Sequence, residues 1–263
     1  MKKICSVIVG IACIGTFTFG DAINIDSTSF KYTQDFSSLG TEDAVWVDGE
    51  TIQGVYLRCT ATNLYPTTIP TTALRSQGAH GSAGAYNMGL DGSSDRALGW
   101  YTKSGTGTGY TGIQFRNQVS GTTNLTIAYT FVLEQWSLRN TSAQEFTLQY
   151  KVTNYGAGPT NNISSSGWTT LGSAVTPVVG DGTEPDVRLD GNLNQFIISG
   201  TETINVRTGQ LLTFRLVDND QSGDDAMVGI DSITIEIVPE ASSLSLFLIS
   251  SAGFFIARHR LRK

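Results

Sequence analysis

The sequence predicts an all-β protein whose central part is a β-sandwich of the jelly-roll type. Three observations favour this fold: no stretch between residues 23 and 237 keeps a helical period, several runs alternate apolar and polar residues, and clusters of Gly, Ser, Thr and Asn separate those runs. Strands without intervening helices argue against βαβ units. We therefore divide the chain into a signal peptide (residues 1–22), a β-sandwich ectodomain (23–237) and a C-terminal tail (238–263).

The strand pattern is clearest in residues 122–133. Five apolar residues fall there on one face of the predicted strand: Leu125, Ile127, Tyr129, Phe131 and Leu133. Shorter alternating runs predict strands in residues 145–152, 204–206, 211–217 and 232–237, and turn-forming clusters lie at 91–94 and 120–123. Without an internal repeat or a linker, the roughly 215 residues of this part suit one large domain.

The first 22 residues have the layout of a secretory signal peptide. Lys2 and Lys3 precede an apolar stretch at residues 4–19, and small residues stand at Gly20 and Ala22. The apolar stretch is short for a membrane span. We expect signal peptidase to cut after Gly20 or Ala22, so that the rest of the chain is exported. The alternative is a buried first strand or an uncleaved anchor.

The C-terminal tail combines three features in a fixed order: the tripeptide Val238, Pro239 and Glu240, an apolar stretch at residues 244–257, and a basic cluster at 258–263. Pro239 separates the tail from the fold because proline cannot continue a strand ladder. An apolar stretch with a basic end predicts a single transmembrane helix with its charges in the cytoplasm. This tail resembles the PEP-CTERM sorting signal, which implies processing by an exosortase. An ordinary C-terminal anchor would give the same location.

Charge and cysteine usage are those expected of an extracellular domain. The two ends hold six of the 17 basic residues and two of the 23 acidic residues, so the ectodomain keeps 11 basic and 21 acidic residues and a net charge near −10. An acidic domain does not suit nucleic acid or an anionic membrane surface as partner, since phosphate binding requires a basic face. Cys59 is the one cysteine outside the signal peptide, which excludes an internal disulfide.

The ectodomain itself also resembles those of a large group of PEP-CTERM proteins. The resemblance spans nearly all of it and rests on short motifs of aromatic, glycine and acidic residues: Asp35, Phe36, Leu39, Gly40, Trp46, Gly54 to Tyr56, Gly84 to Gly89, Ser94 to Gly99, Asn117, Glu134 to Trp136, Leu189 to Asn192, Phe214 to Leu216, Asp218, Asp220, Asp224, Asp225 and Gly229 to Asp231. It implies an envelope or matrix protein of biofilm-forming Gram-negative bacteria with a lectin-like jelly roll, and it implies no particular activity.

The acidic segment that begins at Asp218 is the candidate metal site. Closely spaced carboxylates in a loop with glycine supply the hard oxygen ligands that Ca²⁺ prefers. We expect Asp218, Asp220 and Asp224 to bind calcium, with Asp225 or Asp231 completing the shell. The twelfth loop position is a glycine and no helices flank the loop, so this is not an EF-hand. The alternative is a solvated acidic turn.

Glu134 and Trp136 are the candidate glycan contacts, because they share one face of a predicted strand. A glycosidase needs a second carboxylate about 5–9 Å from the first, and the same-face positions that follow Glu134 are Trp136 and Leu138. A structural role for Glu134 is therefore the alternative. His80 is the one histidine of the ectodomain, which disfavours a Ser-His-Asp triad.

These observations favour a non-enzymatic protein that is exported, held facing outward in the cytoplasmic membrane by its tail, and then processed at the cell surface or in the matrix. The expected partners are signal peptidase, an exosortase and extracellular polysaccharide. A carbohydrate-binding module is the second hypothesis and a glycoside hydrolase the third.

Overall fold

A computed structural model describes residues 22–60, 68–69, 71–72, 84–102, 107–121, 124–138, 143–155, 163–180, 187–221 and 225–239. The predicted signal peptide up to residue 21, the tail from Glu240 onward, Asp224 and His80 lie outside these ranges. The ordered elements within them are strands and two short 3₁₀ turns. None of the described helices has the length and apolar character needed to cross a bilayer.

Seventeen strands are described. In chain order they are β1 (Ile23–Ile25), β2 (Lys31–Gln34), β3 (Ala44–Val45), β4 (Val55–Cys59), β5 (Thr68–Ile69), β6 (Thr71–Thr72), β7 (Gly84–Met88), β8 (Ala97–Tyr101), β9 (Gly109–Asn117), β10 (Asn124–Gln135), β11 (Ser137–Leu138), β12 (Glu145–Asn154), β13 (Thr169–Val175), β14 (Val187–Arg188), β15 (Gln195–Asn205), β16 (Gln210–Asp218) and β17 (Val228–Ile237). The 3₁₀ turns are η1 (Ser37–Leu39) and η2 (Gly191–Leu193).

Most of these strands belong to two sheets. The first has the order β1-β9-β16-β12-β13, with β4 also paired to β9, and the second has the order β15-β10-β17-β8-β7-β6, with β2 also paired to β17. The β1–β9 and β6–β7 ladders are parallel, and the other ladders of the two sheets are antiparallel. The central sets β9-β16-β12-β13 and β15-β10-β17-β8 have the strand order of a jelly roll. The predicted sandwich is confirmed.

Side chains alternate between the two faces of a strand, and this alternation explains which residues form the core between the sheets. Leu125, Ile127, Tyr129, Phe131 and Leu133 are buried in it, as the sequence pattern predicts. The first sheet faces them with residues of one parity from β9, β12 and β16: Ile113, Phe115, Phe146, Leu148, Leu212, Phe214 and Leu216. Each such side chain contributes about 1.5–3 kcal/mol when fully buried. This layer is the largest apolar cluster among the described residues.

A second, smaller apolar cluster covers the outer face of the second sheet. It contains Tyr86, Met88, Ala97, Tyr101, Trp136 and Met227. The segment around η2 packs on this cluster, because a Cβ at Gly191 would lie only 2.6 Å from Trp136 Cζ2. The outer face is consequently part buried, and it is here that polar residues from three strands come together.

Candidate functional site

Three carboxylates meet on the outer face of the second sheet. Side-chain oxygens of Asp95, Glu134 and Asp231 all lie within 4.8 Å of one another, and we call these residues the outer acidic group. Their strands β8, β17 and β10 are direct neighbours in the sheet. Glu134 alternates with the core residue Leu133, and so points away from the sandwich core.

A β-bulge brings Asp231 into this group. Ser232 pairs with Val132 and Ile230 pairs with Leu133, so Asp231 has no partner of its own on β10. A bulge of this kind redirects a side chain and locally increases strand twist. Asp95 lies two residues before β8 and its backbone N–H donates to Ser93 Oγ (3.1 Å). The group therefore depends on one irregularity in β17 and one turn before β8.

Two amides hold the carboxylates in place. Gln195 Nε2 donates to Glu134 Oε1 (3.0 Å). In the orientation that satisfies both of its polar atoms, the Asn192 amide nitrogen donates to Asp95 Oδ2 (3.0 Å) and to Glu134 Oε1 (2.8 Å). Asn192 is itself positioned by the Asp190 side chain, which accepts from its backbone N–H (3.1 Å). Segment 190–195 thus acts as a polar cover over Glu134.

Burial and mutual repulsion disfavour the ionised forms of this group. Glu134 is 1% exposed, Asp231 is half-buried and Asp95 is exposed. Burial raises the pKa of Glu134 to about 7, and the charges of Asp231 and Asp95 act in the same direction. Burial also raises the pKa of Asp231, with repulsion from Asp95 and Asp35 adding to it. The outer acidic group is therefore partly protonated near neutral pH.

No salt bridge neutralises the outer acidic group within the described part of the chain. The ion pairs found there join Lys31 to Glu236 and Arg58 to Asp48. Arg96 follows Asp95 directly, but its guanidinium donates to Asn87, with Nε on Oδ1 (2.8 Å) and an η nitrogen on the backbone oxygen (2.6 Å). The positive charge of Arg96 still acts on Asp95, so the negative charge there is compensated only in part and without a direct salt bridge.

The predicted glycan contact Trp136 is 6% exposed and belongs to the outer apolar cluster. Its Nε1 makes no hydrogen bond of good geometry with a described residue, but its polar contact with the neighbouring Glu134 carboxylate lowers the pKa of that group. Trp46 and Trp100 are also buried, and Trp168 is half-buried with its ring against the Arg215 guanidinium at 4.2 Å. Glycan contact through Glu134 and Trp136 stays a prediction. Within the outer acidic group, Asp95 is the side chain that a surface ligand reaches directly.

Asp218 and Asp225 form a second pair of carboxylates, between the two sheets. Asp218 continues the inward-facing series Phe214 and Leu216 on β16, which directs its side chain toward the interior. Thr102 Oγ1 lies 3.4 Å from Asp218 Oδ1 and 2.8 Å from Asp225 Oδ2. Gln144 Nε2 donates to Asp218 Oδ1 (2.5 Å). We call Asp218 and Asp225 the inner acidic pair.

The inner acidic pair is more deeply buried than the outer group. Asp218 is 2% exposed and Asp225 is fully buried. Burial raises the pKa of Asp218 well above its ordinary value, and the neighbouring charges of Asp225 and Asp220 raise it further. Asp218 Oδ2 has no hydrogen-bond partner in the described ranges. A buried carboxylate oxygen without a partner is unusual and calls for a physical explanation.

The structure therefore divides the predicted calcium ligands. Asp218 and Asp225 come together, and the exposed Asp220 acts on Asp218 through its charge. Asp231 lies in the outer acidic group instead, while Asp224 is outside the described residues. Calcium binding stays a prediction. Of the sorting tripeptide, Val238 and Pro239 are exposed directly after β17, and Glu240 is not described.

Several site residues were not assigned to a site from the sequence. Asp95 and Asn192 belong to motifs that carry the resemblance and Gln195 does not, but all three join Glu134 only because their segments are neighbours in space, which no local pattern reveals. For Thr102 and Gln144, the sequence pattern could have predicted an inward-facing side chain. Each stands two residues from an inward-facing aromatic residue, Trp100 and Phe146 respectively, so strand parity alone directs both toward the interior.

Neither a family model nor a curated protein matches the sequence. Among solved structures, it is similar to a Bacillus thuringiensis Cry1Da tryptic core variant (13% identity, TM-score 0.31, covering 62% of this chain and 22% of that one). It is also similar to a family 35 carbohydrate binding module from Clostridium thermocellum (10% identity, TM-score 0.27, covering 58% of this chain and 85% of that one). A third similar structure is that of an exo-β-1,3-galactanase from Phanerochaete chrysosporium (14% identity, TM-score 0.23, covering 60% of this chain and 30% of that one).

The chain thus spans less than a third of the length of the first and third of these proteins. At such identities and TM-scores the likenesses carry no argument about function. The strand pairing described above establishes the fold.

Proposed function

We propose that this chain is an exported, non-enzymatic protein of the cell envelope or extracellular matrix whose ectodomain binds a neutral polysaccharide at the outer acidic group. Signal peptidase and an exosortase would act on its two ends. The observation that carries the binding proposal is the exposed Asp95 carboxylate beside Glu134 and Asp231, without a salt bridge in the described residues. Ionised carboxylates accept strong, charge-assisted hydrogen bonds from hydroxyl groups.

The net charge of the ectodomain favours neutral polysaccharides over acidic ones. A net charge near −10 repels acidic chains, and the outer acidic group adds local negative charge at the contact. Neutral sugars present hydroxyl donors without that repulsion. A neutral glycan is therefore the expected ligand class.

One observation favours a glycoside hydrolase as the second candidate. A carboxyl group with a pKa of about 7, like that of Glu134, suits a general acid. Against this, Glu134 is 1% exposed, and Asn192 occupies the space between it and Asp95. A glycosidase holds its two carboxyl groups at least about 5 Å apart, on either side of the scissile bond. Binding is therefore the better supported of the two functions.

Affinity measurements with the full chain in mild detergent test this proposal. Immobilised neutral and acidic polysaccharides would be compared for wild type, Asp95→Asn, Asp231→Asn and the exposed control Glu202→Gln. We expect binding to neutral glycans that weakens about tenfold in the first two variants, since one charged hydrogen bond contributes about 1.5 kcal/mol. Equal binding by all four proteins would contradict the site. Sugar release that Glu134→Gln abolishes would favour the hydrolase instead.

A further inference from the structure

Arg116 carries a positive charge on the outer face of the first sheet, with no anionic partner among the described residues. It alternates on β9 with the core residue Phe115, so its side chain points away from the sandwich interior. No salt bridge joins it to a residue that the structure describes. Its Nε atom is inaccessible to solvent and reaches no acceptor in the described ranges. A buried N–H group without an acceptor is costly and calls for an explanation.

The buried arginines of this chain differ from Arg116 in this respect. Each of them donates to a described side chain: Arg58 to Asp48, Arg96 to Asn87 and Arg215 to Gln149. These three guanidinium groups are thus held by the fold itself. The fold supplies no such acceptor to Arg116 within the described residues, and its donors are available to a ligand.

Tyr155 holds the Arg116 guanidinium in place. Arg116 Cζ lies 4.0 Å from the centroid of the Tyr155 ring, and Tyr155 directly follows β12 and is 55% exposed. A cation over an aromatic face is attracted by the ring, but the ring supplies neither a negative charge nor a hydrogen-bond acceptor to the N–H groups. The planar fork of a guanidinium matches a carboxylate through two parallel hydrogen bonds. A carboxylate is therefore the group that Arg116 and Tyr155 together suit.

Exposed amides lie beside this pair. Asn24 is the register partner of Arg116 in the parallel β1–β9 ladder, and Gln118 follows Arg116 by two residues. Gln118 Nε2 lies 3.5 Å from Asn24 Oδ1, so the two amides are neighbours on the surface. An amide both donates and accepts hydrogen bonds, as does a sugar hydroxyl group. The surroundings of Arg116 thus suit a ligand that carries hydroxyl groups next to its carboxylate.

A second arginine adds positive charge at this end of the sheet. The exposed Arg207 lies in the turn before β16, and this turn is bound to β9 because Gly209 N donates to Asn117 O (2.7 Å). The exposed Asp26 follows β1 but forms no salt bridge with either arginine. The net negative charge of the ectodomain opposes acidic ligands at longer range, but physiological salt screens charges beyond about 8 Å. The local charge therefore favours an anion here.

We propose that Arg116 and Tyr155 bind the carboxylate group of an acidic sugar residue, while Asn24 and Gln118 contact its hydroxyl groups. The site belongs to the first sheet and the outer acidic group to the second. The proposal consequently does not depend on the binding of a neutral polysaccharide. A protein with both sites occupied links an acidic polysaccharide to a neutral one.

Titration calorimetry of the full chain in mild detergent, with short oligomers of galacturonic acid, tests the proposal. The methyl esters of the same oligomers are the uncharged comparison. We expect Arg116→Gln to weaken binding of the acid form about tenfold, the effect of losing a charge-assisted contact, and to leave binding of the ester unchanged. Arg116→Lys keeps the charge but not the planar fork, so its affinity should lie between the two.

Lys31→Gln is the matched control, because it removes one positive charge from the second sheet, where Lys31 pairs with Glu236. It should bind the acid form like wild type. Tyr155→Ala changes an exposed side chain, so it should fold even if Arg116→Gln does not, and it should weaken the acid form about threefold.

Three results would overturn the proposal. Wild type that binds acid and ester equally has no carboxylate site. Equal losses in Arg116→Gln and Lys31→Gln would reduce the effect to net charge. Tighter binding of oligoglutamate than of the sugar acid, at the same number of carboxylates, would assign Arg116 to a protein partner instead.

Discussion

Asp48 illustrates how this chain stabilises a carboxylate away from water when a cation is within reach. Its Oδ1 accepts from Trp46 Nε1 (2.8 Å) and from Leu57 N (3.0 Å), and its Oδ2 forms a salt bridge with Arg58. Glu134 and Asp218 are buried at least as deeply and have amide donors, but no described arginine or lysine pairs with them. Among the described residues, Glu134 and Asp218 thus lack the paired cation that Asp48 has.

Glu134→Gln should reduce the pH dependence of stability. Its pKa is about 7 in the folded protein and 4.5 ordinarily, so the stability it contributes is full below pH 4.5 and is lost as pH rises through 7. Wild type should therefore lose about 1–2 kcal/mol more than the variant between pH 5 and 8, after allowance for solvent screening and for titration shared with Asp95 and Asp231. Urea unfolding at several pH values measures this.

The exposed Glu202→Gln variant is the matched control, because it removes one carboxyl group outside the outer acidic group. The prediction is contradicted if the free energy of unfolding changes with pH equally in wild type and Glu134→Gln. That result would mean that ionising Glu134 does not destabilise the folded protein.

At the scale of elements, β17 explains why the predicted calcium shell divides into two sites. Asp225 and Asp231 are six residues apart, and an extended strand advances about 3.3 Å per residue. The strand that begins at Val228 therefore carries Asp231 well away from the loop, and the bulge opposite Val132 and Leu133 turns it outward. Spacing along the sequence suggested one cluster because it did not account for the extension of the intervening chain.

Gly191→Ala tests the contact between the η2 segment and the outer apolar cluster. An alanine Cβ there would lie 2.6 Å from both Cζ2 and Nε1 of the buried Trp136, so either the indole or the polar cover over Glu134 must shift. We expect a loss of about 1–3 kcal/mol in the free energy of unfolding, the usual cost of overpacking. Denaturant titration compares it with Gly84→Ala, whose Cβ would meet no atom within 4 Å. Equal midpoints would contradict the packing.

At the scale of the whole molecule, the alternating patterns in β10, β12, β16 and β17 predicted which faces are buried, because parity is a local property. They did not predict which strands are neighbours. The jelly-roll order brings β8, β10 and β17 side by side although long stretches of chain separate them, and the outer acidic group exists only through that order. The inner acidic pair was partly predictable, since Asp218 and Asp225 flank one loop, but Thr102 and Gln144 arrive from strands distant in sequence.

The tail gives the prediction that concerns the whole chain. The last described strand ends at Ile237, and Val238 N still donates to Thr126 O (2.8 Å), so removing residues 244–263 breaks no described strand pair. We expect the truncated protein to be exported, to show a β-type circular dichroism spectrum, and to leave the membrane fraction, because residues 244–257 are the apolar stretch expected to hold it. A variant with alanines at Val238, Pro239 and Glu240 should stay with the membrane. Truncated protein that remains membrane-bound would place the anchor elsewhere.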